Sequence, residues 1–288
     1  MSTPASAPSA PHQGLPLAVV GTGVMGETLV AGLVRSGWKP QDIIAVDAMP
    51  ERMEQIAYRY GVNSADLDKA AEQANTVVVV VKPQDSTDVF PQVAKHIRPG
   101  TLIISLCAGV TTQLIESFMP EGTPVVRVMP NTPARVDEGM AAVSPGVCAQ
   151  KEHLKYAVDL LSAVGKAIVV PERYQDAVTA ISGSGPAYLF FVVEAMIDAG
   201  VMLGLPRDTA TVLVNQTMYG SAKLLVESGE HPTVLRERVT SPGGTTAAAQ
   251  RMLEENKVKA AFMEAMEAAR DRSAALAKKA ANRAAKLG

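Results

Sequence analysis

From Leu15 to about Pro171 the chain alternates short apolar runs with stretches of helical spacing. The runs are Leu17–Val20, Ile43–Val46, Val77–Val81, Leu102–Leu106, Val125–Val128, Ala141–Val143 and Ala167–Val170. The valine run holds no polar residue, which marks a strand buried on both faces. Helical patterns fit between the runs, over Val24–Arg35 and around Val89–His96 and Lys151–Val164. This alternation predicts a parallel sheet with helices on both sides. From Tyr174 onward the pattern predicts helices only. Pro186, after Ser182-Gly183-Ser184-Gly185, suits the first turn of a helix running to about Met202. That helix (AYLFFVVEAMIDAGVM) is apolar nearly all round, and the next (TATVLVNQTMYGSAKLLV) has little polar surface. Such helices are buried on every side. The helical part is too small to bury them alone, so a second subunit interleaving with them is expected; one compact monomeric bundle is the alternative. The pattern divides the chain into a disordered tail at 1–14, a sheet domain at 15–171 and a helical domain at 172–288.

Composition narrows the partners. Hydrophobic residues make up 47% and charged residues 19%, with a net charge of −2. Such a balance gives no basis for nucleic acid or an anionic membrane as a partner. Two cysteines, Cys107 and Cys148, lack CxxC spacing, which fits a reducing compartment better than a disulfide framework. His12, His96, His153 and His231 form no metal-binding spacing, so no metal is expected. The start, MSTPASAPSAPHQG, lacks the charged beginning and apolar run of a signal peptide. No apolar run approaches the roughly 20 residues that span a bilayer. A cytoplasmic protein is expected. The last stretch, Lys257–Gly288, mixes alanines with charges and places Lys and Arg near its end, as a solvated helix does.

Gly21-Thr22-Gly23-Val24-Met25-Gly26 directly follows the first apolar run and opens the first helix. This is GxGxxG in its proper setting: Gly21 for a tight turn, Gly23 for close approach to a pyrophosphate, Gly26 for helix–strand packing. The helix start supplies N–H donors and partial positive charge to the phosphates. Asp47 lies about 20 residues further on, at the end of the second run, where a carboxylate accepts from the adenosine ribose and repels a 2′-phosphate. Arg52 is close enough to counter that repulsion, and a helix-capping role for Asp47 is the alternative. The choice between NAD and NADP stays open. Ligands in such sheets sit outside the carboxyl ends of the strands. Val81, Lys82 and Pro83 end the valine run, Ala108 and Gly109 follow the fourth, and Asn131 follows the fifth; all join the cofactor candidates. The fold class is α/β, with an N-terminal Rossmann dinucleotide-binding domain and a C-terminal all-helical domain.

A second dense motif, Val239-Thr240-Ser241-Pro242-Gly243-Gly244-Thr245-Thr246, lies between two helical stretches. Glycines followed by hydroxyl residues at a helix start offer N–H and O–H groups to a carboxylate. Plain capping of the helix by Ser or Thr is the alternative.

VTSPGGTTAAAQRMLE resembles the signature of the pyrroline-5-carboxylate reductases. GTGVMG, VVVVVKPQ (77–84), VVRVMPNTPARVDEGM (125–140) and DAVTAISGSGPAYLF (176–190) resemble the same family, in the same order, over roughly residues 15–275. The resemblance implies reduction of Δ1-pyrroline-5-carboxylate to L-proline by NADPH or NADH. It implies a homodimer with exchanged helices, or a higher homo-oligomer built from such dimers, which makes the helical half a dimerisation domain. It places Ser241, Gly243, Gly244, Thr245 and Thr246 around the substrate, with the Thr246 hydroxyl at the ring nitrogen as the catalytic contact. Glu172 would touch substrate from the helical domain, and Lys82, Pro83, Ala108 and the glycine loop would hold the dinucleotide. One departure stands out: many NADP-preferring members carry Ser or Asn with a basic residue where this chain has Asp47-Ala48. Two other readings remain. A two-domain dehydrogenase of hydroxy or keto acids would need an acid–base residue, for which the helical half offers Lys223 and His231. A cofactor-binding regulator without activity would have no need of an intact SPGGTT.

Overall fold

The computed structural model describes residues 15–284; the tail expected at 1–14 lies outside them. The chain packs as two compact units. One comprises residues up to Gly183 together with those from Ala269 onward, and the other is Ser184–Ala268.

The first unit is built on β1 (Leu17–Val20), α1 (Val24–Arg35), β2 (Ile43–Val46), α2 (Pro50–Tyr60), β3 (Asn63–Ser64), α3 (Leu67–Gln73), β4 (Thr76–Val79) and α4 (Pro83–His96). It continues through β5 (Leu102–Ser105), α5 (Thr112–Glu116), β6 (Val125–Met129), β7 (Gly139–Pro145), α6 (Lys151–Leu161), β8 (Gly165–Val169) and α7 (Gln175–Val178). The strands form one sheet in the order β3-β2-β1-β4-β5-β6-β7-β8. The order turns back between β1 and β4, the switch point where doubly wound sheets place their ligands. Val20 is level with Val46 on one side and Val79 on the other, so three strand ends reach the crevice together.

Alternate side chains divide the core. Leu17 and Val19 pack with Leu29 and Leu33 of α1, Ile56 of α2 and Leu160 of α6. Ala18 and Val20 pack with Ala70 of α3, Phe90 and Val93 of α4 and Ile115 of α5. Strands with both faces covered have no polar face, which is why they appear in the sequence as unbroken apolar runs.

Several elements differ from the sequence expectation. The valine strand ends at Val79: Val80 still donates from its N–H to the Val20 carbonyl at 2.8 Å, then the chain leaves the ladder. Helix α4 begins at Pro83 and not around Val89, because its first turns are polar and carry no apolar period. β3 is a two-residue exposed edge strand with no hydrophobic signal. The sheet is also not wholly parallel, since β6 and β7 run antiparallel. The link from Met129 to Gly139 holds only a 3-10 turn, too short for the crossover of a dozen or more residues that parallel pairing needs.

The second unit holds α8 (Gly185–Met202), α9 (Arg207–Ser228), α10 (Pro232–Arg238), α11 (Thr245–Glu255) and the first part of α12 (Val258–Ala284). The first unit runs on to Gly183, past the boundary expected at 171, because Gln175 and Ala180 are buried and Gln175 bonds to Ala142 and Ser144 of β7. It also takes in the end of α12. Within the second unit α8 and α9 pack closely, and a Cβ on Gly200 would lie 2.9 Å from that of Ala210. Their outer faces are bare: Phe190 is 67% and Phe191 71% exposed, with Val212, Leu213 and Tyr219 exposed as well. Glu172–Met202 also contains an 18-residue window of mean hydropathy 1.4, long and apolar enough to cross a bilayer, with 6% of it buried within the chain. This corrects the expectation of no such stretch; Gly and Ser interrupt the run without lowering its average below that of a spanning helix. A helix covered by another protein chain has the same all-round composition.

Candidate active site

The glycine loop has the geometry its sequence demands. Gly21 has φ +95°, and an added Cβ would meet the Val80 carbonyl oxygen at 2.5 Å, so no side chain fits. A Cβ on Gly26 would fall on the Gly21 carbonyl, which fixes how closely α1 approaches β1. Gly23 faces open space, with nothing within 4 Å of an added Cβ. It is the N-cap of α1, and no side chain caps that helix. Gly23 and Val24 are exposed and Met25 is half-buried. An uncapped helix start beside empty space can accept a pyrophosphate.

Thr22 turns inward and is fully buried. Its N–H and hydroxyl donate to Asp47 Oδ2 at 2.7 and 2.8 Å, and the Met49 N–H donates to Oδ1 at 3.1 Å. Burial pushes the Asp47 carboxyl up. The hydrogen bonds from Met49 and Thr22 and the charge of Arg52 outweigh it and hold the pKa below the ordinary carboxylate value. Asp47 therefore braces the glycine loop first, and of the roughly four acceptor positions on a carboxylate three are engaged. Arg52 is engaged beside it: its Nε donates to the Thr22 carbonyl at 3.0 Å and its Nη2 pairs with Glu27. Glu27 also accepts from Arg59 at 2.6 Å and from the Tyr60 hydroxyl at 2.9 Å.

The other strand ends divide into exposed and engaged groups. Val81 is half-buried, Lys82 and Pro83 are exposed at the start of α4, and Ala108 is exposed after β5. Gly109 is buried with φ +71°, and an added Cβ would lie 3.6 Å from the Ala277 nitrogen and 3.8 Å from Leu276 Cβ of α12. Asn131 bonds within the chain. Its Oδ1 accepts from the Met140 N–H at 2.8 Å, and its Nδ2 donates to Ser182 at 3.3 Å. It ties the β6–β7 link to a π-turn at Thr179–Gly183.

Glu172 also departs from expectation. It belongs to the sheet unit, where its Oε1 accepts from the Thr112 N–H at 2.7 Å and from Arg127 Nη1 at 3.2 Å. Its Oε2 accepts from the Thr112 hydroxyl at 2.5 Å. Thr112 and Arg127 thus engage both oxygens of this carboxylate. Sequence reasoning missed Thr112 and Arg127. The signal was present for the arginine: it is the charged residue inside the buried run Val125–Met129, and a buried cation needs a partner.

In the second unit, Gly243 has φ +67° and open space around it, and the Gly244 N–H donates to the Ser241 carbonyl at 3.0 Å. Gly244 is the N-cap of α11, again without a side-chain cap. The Ser and Thr residues are therefore not caps, and among the described residues no hydrogen bond engages the hydroxyls of Ser241, Thr245 or Thr246. Thr246 is half-buried. Lys223 pairs with Glu227 at 3.7 Å, and His231 Nδ1 accepts from the Thr233 N–H at 3.2 Å as the cap of α10. Both are thus engaged locally, the lysine one helical turn along and the histidine through Nδ1. Among the described residues no cluster of His, Cys, Asp or Glu is placed to hold a metal.

Family models cover both motifs. Residues 172–276 match the model described as pyrroline-5-carboxylate reductase dimerisation, and residues 16–109 match that of NADP oxidoreductase, coenzyme F420-dependent. The pyrroline-5-carboxylate reductase of Corynebacterium melassecola is 43% identical, over 91% of this chain and 98% of its own. That of Escherichia coli is 35% identical over 90% and 97%. Among solved structures, the Coxiella burnetii pyrroline-5-carboxylate reductase superposes with a TM-score of 0.87 at 34% identity, over 91% of this chain and 98% of that one. The Plasmodium falciparum pyrroline carboxylate reductase with NADP bound gives 0.82 at 30% identity, over 92% and 99%. With such identity along nearly its whole length, the chain belongs to the pyrroline-5-carboxylate reductase family.

Proposed function

We propose that this chain reduces Δ1-pyrroline-5-carboxylate to L-proline, the last step of proline biosynthesis, with NADH or NADPH as hydride donor. The observation that carries this reading is the loop 241–246: an uncapped helix start, a positive-φ glycine in open space and three unengaged hydroxyls, in a chain of this family. The dinucleotide fits the glycine loop, whose open face at Gly23 and uncapped α1 offer N–H donors to a pyrophosphate. Val81, Lys82, Pro83 and Ala108 would line its path. When bound, the dinucleotide supplies the hydride that adds to the imine carbon. The Ser241, Gly243, Gly244 and Thr245 groups hold the substrate carboxylate, and the Thr246 hydroxyl meets the ring nitrogen. A threonine hydroxyl is too weak an acid to protonate an imine, so Thr246 orients the ring while the proton arrives with the substrate or through water. Proline then carries one new C–H and one N–H bond.

Helices α8 and α9, bare in one chain, would seat against a second copy to form a homodimer. The functional division into a cofactor half, 15–171, and a substrate and dimerisation half, 172–288, follows the family match that begins at Glu172. Cys107 and Cys148 are free thiols, in keeping with a reducing cytoplasm.

Steady-state rates of the full chain with pyrroline-5-carboxylate and with 2-hydroxy and 2-keto acids test the assignment. Turnover is expected on the cyclic imine alone, and turnover confined to hydroxy or keto acids would overturn it. Thr246→Ala should lower kcat/KM by about ten- to a thousandfold, the scale of one positioned group. Unchanged kinetics would remove Thr246 from the mechanism.

A further inference from the structure

We propose that Glu172 is a positioning residue: through Thr112 it fixes the loop between β5 and α5, on whose rim the nicotinamide end of the dinucleotide rests. The proposal builds on the cofactor reading above.

Within the loop the Leu114 N–H donates to the Thr111 hydroxyl at 3.2 Å and the Val110 N–H to the Cys107 carbonyl at 3.4 Å. α5 has only five residues, too few to be stable alone. Thr112 is its first residue, and the N–H there has no partner inside the helix. Glu172 supplies one, with a negative charge at the positive end of the helix and a second bond to the Thr112 hydroxyl. The other side of the carboxylate faces Arg127, whose residue is 4% exposed in the sheet. Arg127 has a fixed position in β6, so it sets where Glu172 sits, and Glu172 sets where Thr112 sits.

The opposite side of the loop is held from the same short segment. Ser273 of α12, itself buried, donates to Asp176 Oδ1 at 2.7 Å. One turn further along α12, Leu276 and Ala277 lie against Gly109. Residues 172–176 thus secure Thr112 directly and Gly109 by way of α12. Along residues 107–112 Cys107, Gly109, Val110 and Thr112 are buried, Thr111 is half-buried and Ala108 alone is exposed. The loop leaves β5 after Ser105 and is fastened at Gly109 and Thr112, and just before Gly109 it presents the Ala108 methyl group at a strand end facing the ligand crevice. Its position governs the alignment of the dinucleotide's reacting end, while the glycine loop governs its phosphates. Loss of the clamp should therefore affect turnover more than cofactor affinity.

The test uses the full chain as wild type, Glu172→Gln, Thr112→Val and Thr112→Ser. Turnover of pyrroline-5-carboxylate, fluorescence titration with reduced dinucleotide and Tm are measured for each. Glu172→Gln should lower kcat by about tenfold or more, since even a 1 Å misplacement costs about a hundredfold, while the dinucleotide dissociation constant stays nearly unchanged. Because that variant also disturbs Arg127 and can lower Tm, Thr112→Val serves as a second probe that leaves the Glu172–Arg127 pair intact. It should lower kcat in the same direction, and Thr112→Ser should restore it. Wild-type kcat in both Glu172→Gln and Thr112→Val overturns the proposal. So does a rise confined to the KM for pyrroline-5-carboxylate, which would make Glu172 a substrate ligand. A wild-type protein that binds no reduced dinucleotide would instead overturn the cofactor reading, and this proposal with it.

Discussion

Three hydrogen bonds, two from Thr22 and one from Met49, converge on the Asp47 carboxylate, and its lowered pKa keeps it an anion at neutral pH. That anion stands at the end of β2, where an adenosine ribose would lie. A 2′-phosphate there would meet a like charge, and two unit charges 4 Å apart repel by about 1 kcal/mol even in water. Arg52 tempers that repulsion, since its charge reaches Asp47, but Glu27 pairs with its guanidinium and the Thr22 carbonyl accepts from its Nε. The enzyme should therefore work better with NADH than with NADPH. Asp47→Ser should move the ratio of kcat/KM values toward NADPH by roughly tenfold, measured as initial rates with each cofactor. Serine can still accept from Thr22, so the loop should keep its shape. A ratio unmoved by the substitution would show that the carboxylate points elsewhere.

At the scale of elements, the glycine loop is the most constrained segment of the site. Gly21→Ala would place a methyl against the Val80 carbonyl in a left-handed conformation that costs a substituted residue about 1–2 kcal/mol. The expected outcome is loss of measurable dinucleotide binding by fluorescence titration, with a lowered Tm; full binding would show that the loop can shift. This loop, β1, α1 and β2 were legible in the sequence because fully buried strands and GxGxxG leave unmistakable local patterns. The antiparallel β7 was legible in principle from the shortness of its link to β6. β3 and the start of α4 were not, since polar residues form them. For Asn131 and Glu172 the sequence shows only part of the setting. Sequence marks them as polar groups near the strand ends, but Met140, Ser182, Thr112 and Arg127 take their hydrogen bonds, and those partners become neighbours only in the folded chain.

For the molecule as a whole, the bare faces of α8 and α9 are the largest unmet demand. A buried Phe side chain contributes about 1.5–3 kcal/mol relative to an exposed one, so Phe190 and Phe191 favour association strongly. Phe191→Asp should weaken self-association by at least about tenfold, read by analytical ultracentrifugation. A wild type that sediments as a monomer at all concentrations, with full activity, would refute the dimer. The helical unit is also an insertion in the sheet unit: the chain enters it after Gly183 and returns along α12, whose last turns count with the sheet. Two covalent strands join the units where an ordinary two-domain chain has one linker. The helical unit therefore cannot be dissected away by truncating the C-terminus, for any cut before Ala269 removes a piece of the sheet unit as well. Evolution faces the same restriction, and this helical unit can be exchanged for another only by a replacement spliced in at both ends.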